Sequence, residues 1–369
     1  MITYSIIKKS QLEGALRLDA EYYQPEYLEI INNLDRLKAV PIRDVAINPS
    51  RKFKSKKGEV FNYIEISEVD LSTGEYNKTE ILGENAPDRA QWIVKKGDII
   101  ISTVRPIRNA VSLITEKTEN LVCSSGFAVL KAEKVESEYL FAYLKSKKIV
   151  ELLDRLTTAT MYPAVTIEDI LNTKIILGTS KFRQEVKDMV VRSQEELQNS
   201  KKFYYEAESL LLEELELKDF KNKENLFSVV SLSDVKNANR IDAEYFQSKF
   251  NTLLSKVKTE KLGDLVSMTK GFETGAEAYQ EIGKLFIRVS SVSKEGIIDK
   301  DQKYLKDELY QKLKKDFEPK IGEILLTKDA NPGIAYVLKE PVEGIICGGV
   351  LKLKPKENIE PEFLALCIN

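Results

Sequence analysis

The sequence predicts an α+β protein: two homologous domains of mixed strands and helices, joined by a long α-helical, coiled-coil-like spacer. Three observations carry this. Residues 181–220 contain no Gly or Pro and place apolar residues at three- and four-residue steps, the spacing of one helical face. An octapeptide pattern occurs twice, once on each side of that stretch, and short β-branched runs preceded by glycine turns follow it in the same order both times.

The 369 residues, 43% hydrophobic and 31% charged, suffice for two cored domains and exclude a disordered chain. No run of about 18 apolar residues occurs, and the N-terminus MITYSIIKKSQ lacks a signal peptide's apolar core, so the expected location is cytoplasmic, with no membrane partner. Cys123, Cys347 and Cys367 stand singly among apolar neighbours and read as buried thiols, not as a zinc or disulfide set, and no metal site is expected. Histidine is absent, which removes the commonest general base and weakens most hydrolase mechanisms. A formal net charge of −2 argues against coating nucleic acid by bulk electrostatics, so any such contact must be local.

The repeat begins at Arg17-Leu-Asp-Ala-Glu-Tyr-Tyr-Gln, which returns as Arg240-Ile-Asp-Ala-Glu-Tyr-Phe-Gln, an offset of 223 residues; each copy leads into a short amphipathic helix. The strand-like run at Tyr63 matches that at Phe286. Lys96-Gly-Asp-Ile-Ile-Ile-Ser-Thr matches Ile321-Gly-Glu-Ile-Leu-Leu-Thr, and Cys123-Ser-Ser-Gly matches Cys347-Gly-Gly with a one-residue slip. Val135-Glu-Ser-Glu-Tyr-Leu then matches Ile359-Glu-Pro-Glu-Phe-Leu. An ordered series of this kind is a duplication. After it the first copy continues through a Thr-rich loop with a proline, a turn capped by Thr166 and Asp169, a short apolar strand from Thr173, and the long helix. The expected domains are 1–180, a spacer helix at 181–220, and an incomplete second copy at 221–369 that lacks a second spacer helix. At 1.5 Å per residue the spacer would run on the order of 60 Å, longer than one domain needs.

These landmarks together resemble the DNA-specificity subunit of type I restriction-modification systems. The resemblance rests on the RLDAEYYQP-type openings, the GDIIIS and GEILLT strands, the stretch TTATMYPAVTIEDILNTKI and the Phe182-Arg-Gln-Glu-Val start of the helix, and it covers nearly the whole chain. It implies two target-recognition domains, each reading one half of a bipartite double-stranded DNA target, with the helix setting the gap. It implies methyltransferase and restriction subunits as partners, and a non-catalytic role for this chain. S-adenosylmethionine, ATP and Mg would belong to those partners, with no cofactor bound here. The family usually has a second spacer helix after its second domain, which this sequence does not show.

Candidate DNA-binding residues lie where the chain leaves the sheets. Arg105, Arg108 and Asn109 follow the GDIIIS strand, and Lys328 and Asn331 occupy the equivalent loop of the second copy. Arginine can grip guanine or phosphate, and asparagine can read adenine. Thr158, Thr160 and Tyr162 offer hydroxyls and an aromatic ring to a backbone, or serve only to cap the following helix. The lysine clusters at 51–57 and 312–315 offer phosphate contacts or a solvated face. On the helix, Phe182, Val186, Met189, Leu197, Tyr204, Leu211 and Leu215 form an apolar stripe that needs cover, from the methyltransferase or from a second copy of this chain. No catalytic residue is proposed, because neither a phosphate-binding loop nor a methyltransferase signature is present. The alternatives are a non-enzymatic interaction scaffold dimerised by the helix and a truncated, non-functional specificity subunit.

Overall fold

The computed structural model describes residues 4–12, 17–117, 119–157, 163–218, 227–280, 282–298 and 302–369. It divides into two compact units, Met1–Asn199 and Ser200–Asn369.

In the first unit, helix α1 (Pro25–Arg36) is followed by β1 (Val40–Pro41), β2 (Ala46–Ile47), β3 (Val60–Ile64), β4 (Thr79–Leu82), β5 (Ala90–Ile93), β6 (Asp98–Ser102), β7 (Val111–Leu113), β8 (Leu121–Ser124) and β9 (Phe127–Ala132). Helices α2 (Ser137–Lys145), α3 (Lys147–Arg155) and α4 (Ile167–Asn172) come next, then β10 (Lys174–Ile175), which pairs with β1. Two four-stranded sheets result, in the orders β2-β9-β6-β7 and β4-β3-β8-β5; the first is antiparallel throughout and β3 runs parallel to β8 in the second. Strand β6 is buried along its whole length because apolar groups cover both faces. Ile99 and Ile101 meet the core beneath α1 to α4, while Ile100 meets Cys123 and Phe127 on the other side.

The second unit contains α6 (Leu232–Ala238), α7 (Ser248–Lys256), α8 (Leu262–Leu265), β11 (Val266–Lys270), β12 (Lys284–Ile287), β13 (Lys303–Leu305), α9 (Asp307–Phe317), β14 (Ile324–Thr327), β15 (Ala335–Val337), β16 (Gly344–Ile346), β17 (Val350–Pro355) and α10 (Pro361–Ile368). Its sheets run β11-β17-β14-β15 and β13-β12-β16, with β12 parallel to β16. The strand orders repeat those of the first unit, and a parallel pair recurs at the same place. Strand β5 and the β1-β10 pair have no strand counterpart among the described residues.

The duplication extends to single hydrogen bonds. Gly97 and Gly322 both sit at positive φ, 87° and 82°, in the turns before β6 and β14. The acidic residue after each glycine closes its own turn: Asp98 accepts from the Lys95 N–H at 2.7 Å and Glu323 from the Lys320 N–H at 2.8 Å. Asp98 is also paired with Arg51, so the first residue of the 51–57 cluster turns inward while Lys52, Lys54, Lys56 and Lys57 remain exposed. Burial still raises the Asp98 pKa, the Arg51 charge only partly offsetting the loss of solvation.

The capping box expected at Thr166 and Asp169 is formed in full at the start of α4. The long helix α5 occupies Ser180–Glu214, 35 residues or about 52 Å. It ends short of the expected 220: Glu216 takes a left-handed conformation, φ 53°, and the Leu217 N–H bonds back to the Leu212 carbonyl, a terminating motif usually supplied by glycine. Residues 219–226 lie outside the described residues. Of the three thiols, Cys123 is buried and Cys347 half-buried, but Cys367 is exposed, because α10 turns Leu364 and Ala365 inward instead. Among the described residues, no helix is long and apolar enough to cross a membrane.

Candidate nucleic-acid interface

In the first unit the chain leaves β6 at Ser102 and forms a loop that is held at both ends. Its start is fixed by the Thr103 N–H and hydroxyl, which donate to the Gly126 carbonyl at 2.8 and 3.0 Å. Val104 bridges to Ala164, the Val165 N–H reaches Thr103 O at 2.9 Å, and the Arg105 N–H reaches Pro163 O at 2.6 Å. Two stretches singled out from sequence are thus brought together, residues 103–109 and the segment leading into α4. Thr158, Thr160 and Tyr162 themselves lie outside the described residues.

The tip is a single 3-10 turn, Pro106–Arg108, flanked by two non-glycine residues in the left-handed region: Arg105 at φ 50° and Asn109 at φ 60°. Each such residue costs on the order of 1–2 kcal/mol, and the conformation persists because the contacts around it over-determine it. Asn109 is one of those contacts. Its side-chain amide donates to the Lys145 carbonyl at 2.9 Å, so it faces α2. The Lys145 ammonium donates in turn to the carbonyls of Asn109, at 3.3 Å, and of Leu71, at 2.9 Å. Burial lowers the Lys145 pKa to about 8, with Asp70 opposing the shift. The result is a stiff turn, packed on α3, that presents Ile107 and Arg108 to solvent while Arg105 is half-buried at its base.

The second unit builds the corresponding loop differently. The Lys328 N–H donates to the Gly349 carbonyl at 3.0 Å, as Thr103 does to Gly126, and Ala330 takes the left-handed conformation at φ 56°. Thr327 Oγ1 then closes the loop, donating to Asn331 O at 2.6 Å and accepting from the Ile334 N–H at 3.0 Å. Asn331 is exposed, but the Lys328 ammonium is engaged by both carboxylate oxygens of Asp329 at 2.9 Å. The lysines of the 312–315 cluster lie exposed on α9.

Along α5, Val186 and Val190 pack on the first unit's core and the Phe182 ring meets Tyr139 edge-on. Leu197, Tyr204 and Leu211 are half-buried; the Tyr204 hydroxyl accepts from the Asn369 amide at 3.0 Å. Phe182, Met189 and Leu215 are exposed, and so are Phe203 and Leu210, which continue the seven-residue spacing of Phe182 and Met189. The expected stripe is therefore split: one part is taken up within the chain, and a second, exposed row lies beside it.

The arginine loop, its Pro163–Val165 strap and the sheet beneath them all fall inside residues 37–186, which match the family model described as the type I restriction modification DNA specificity domain. The HindI specificity subunit of Haemophilus influenzae (strain KW20/Rd) is 24% identical over 158 residues, 42% of this chain. The match spans about a third of that relative, 34% of its length. Two solved structures align over 89% of the chain: the HsdS subunit of Thermoanaerobacter tengcongensis, at 22% identity, 78% coverage and a TM-score of 0.38, and the S subunit of M. genitalium, at 15%, 75% and 0.37. The sequence singles out Arg105 and Arg108 as candidates but gives no sign that Lys145 and the Pro163–Val165 strap hold their loop in place. A lysine on an amphipathic helix carries no signal of the carbonyls it will meet, and Pro163–Val165 looked only like a helix lead-in.

Proposed function

We propose that this chain is a non-catalytic, sequence-specific DNA-binding component of a type I restriction-modification complex. Each unit reads one half of a bipartite double-stranded target, and α5 sets the gap between the halves and docks methyltransferase subunits. The observation that carries the reading is the over-determined turn of the specificity domain, which holds Arg108 exposed and Arg105 at its base. Guanidinium groups carried on a stiffly held loop backbone leaving a sheet suit groove or phosphate contact at little backbone ordering cost. Base flipping and methyl transfer, with S-adenosylmethionine, ATP and Mg, fall to partner subunits.

The test is salt-dependent retention on DNA bearing the complex's target, comparing the intact chain with Arg105→Ala and Arg108→Ala. Each substitution should lower the slope of log affinity against log salt by about one if the arginine meets phosphate, or relax sequence preference by about 1–3 kcal/mol if it meets a base. Retention unchanged in both variants would favour the scaffold reading. The exposed row Phe182, Met189, Phe203 and Leu210 supports a helical partner under either reading.

A further inference from the structure

The turn at Arg105–Asn109 is held at its start by backbone bonds to Gly126 and Pro163, and at its far end a side chain of α2 takes over. The Lys145 ammonium donates to the Asn109 carbonyl at 3.3 Å and to the Leu71 carbonyl at 2.9 Å, so one group joins two loops that are remote in sequence. The Asn109 amide returns the contact to the Lys145 carbonyl at 2.9 Å. The loop on the Leu71 side is itself firmly built. Asp70 Oδ1 accepts from the N–H groups of Ser72 and Thr73 at 3.0 and 2.7 Å and from their hydroxyls at 2.7 and 2.8 Å. Gly74 follows at φ 76°, so close to its neighbours that a Cβ would lie 2.7 Å from Val111 O and 2.8 Å from the Phe141 ring. Its carbonyl accepts from the buried Ser112 hydroxyl at 2.6 Å. Lys145 therefore ties the turn to an anchor and not to a second free loop.

Packing alone does not account for a lysine here. Among the described residues no carboxylate pairs with the ammonium: Asp70 is close enough to oppose the pKa shift but commits its Oδ1 to Ser72 and Thr73. A methionine would fill similar space without desolvating a charge. The second unit closes its loop without any such group, through Thr327 Oγ1.

We propose that Lys145 is a positioning residue for DNA binding, which through its bonds to Asn109 and Leu71 holds the backbone carrying Arg105 and Arg108 in the conformation that meets DNA. The inference rests on the DNA-binding reading above. Lys145 does not itself touch DNA; it orders the turn beforehand, so that this ordering is not subtracted from the binding energy. Its loss weakens binding by the same factor at every salt concentration, whereas loss of a phosphate contact also flattens the salt dependence.

The experiment follows binding of the intact chain to a labelled duplex of randomised sequence by fluorescence anisotropy across a salt series. Lys145→Met should weaken binding about tenfold with an unchanged slope, and Asn109→Gly, which keeps the left-handed backbone but deletes the amide, about threefold. In an Arg105→Ala/Arg108→Ala background Lys145→Met should have almost no further effect, because it acts through those arginines. A loss of the same size in that background marks a merely structural role and overturns the proposal. So does wild-type binding by Lys145→Met, and so does a slope lowered by about one in that variant, which would put the ammonium on a phosphate. Where Lys145→Met does not fold, Asn109→Gly is compared in the same two backgrounds and read by the same outcomes. If the double arginine variant binds as the wild type does, the DNA-binding reading fails and this inference with it; if it binds more weakly and Lys145→Met does not, only this inference fails.

Discussion

The two units share a strand order, a parallel pair and the atomic details of the turn before the central strand, yet they differ sharply around their first motif. In one, Arg155 and the face of α3 bury Tyr22, Arg155 Nε donating to the Tyr22 carbonyl at 2.6 Å; in the other, Tyr245 stands half-exposed beside an Arg240–Asp242 pair like that of Arg17 and Asp19. The sheets are thus specified by elements present in both copies, whereas the burial of Tyr22 depends on α3, whose counterpart is not among residues 221–369. Replacing Arg155 should therefore give the largest effect. Arg155→Ala strips a buried carbonyl of its donor and leaves a void on an aromatic face, and should destabilise the first unit by about 3 kcal/mol. Tyr245→Ala, at the exposed copy, should stay within about 0.5 kcal/mol. Urea unfolding of both variants checks the contrast, and similar losses would mean that the second motif is also covered in solution.

Lys145 separates the units again, because its counterpart along α10 is Asn369, whose amide bonds to Ala335 O at 2.9 Å and carries no charge. The folded first unit disfavours the ammonium, holding its pKa near 8 against an ordinary value of 10.5. Between those values the unfolded chain keeps its proton while the folded one sheds it, so this lysine's contribution to stability rises with pH from about 8 to 10.5. Relative to Lys145→Met, the wild type should gain about 2 kcal/mol across that window. Paired melts at pH 7.5 and pH 9.5 measure the difference, and a flat difference would place the ammonium in solvent.

Where the units agree, paired substitutions should agree too. Gly97 and Gly322 have room for a Cβ, the nearest atom to Gly97 being Ser137 Oγ at 3.7 Å and none lying within 4 Å of Gly322. Only the positive φ opposes a side chain, so Gly97→Ala and Gly322→Ala should each cost about 1 kcal/mol, and by matching amounts. Unequal costs in denaturant titrations would show that the turns are less alike than their hydrogen bonds imply.

The duplication was legible because its signals are local: a glycine at a forced φ, an acidic residue closing a turn, a β-branched run. The less legible features depend on long-range contacts or on an atypical local choice. Nothing in Lys147–Arg155 announces that Arg155 will leave solvent for Tyr22, 133 residues earlier. Arg51 reads as one of a basic cluster until Asp98 claims it. Asn109 offers an amide to a base on paper, but α2 supplies a carbonyl first. The end of α5 was misjudged because a glutamate, Glu216, fills a position that usually goes to glycine.

The smallest expected effect concerns the two loops proposed to meet DNA. Arg108 is exposed at its turn, whereas Lys328 is held by the neighbouring carboxylate of Asp329, an exposed pair worth no more than about 1 kcal/mol. If both loops approach the DNA backbone, Asp329→Asn both releases the lysine and removes a repelling charge. Retention should then rise roughly twofold to fivefold at low salt, with the gain shrinking as ionic strength increases. The equivalent loop of the first unit has no acidic residue between Thr103 and Asn109 to remove, so the gain should belong to the second unit alone. Retention that is indifferent to Asp329→Asn yet falls with Arg108→Ala would make the first unit the main electrostatic contact, with the second loop standing away from the phosphates.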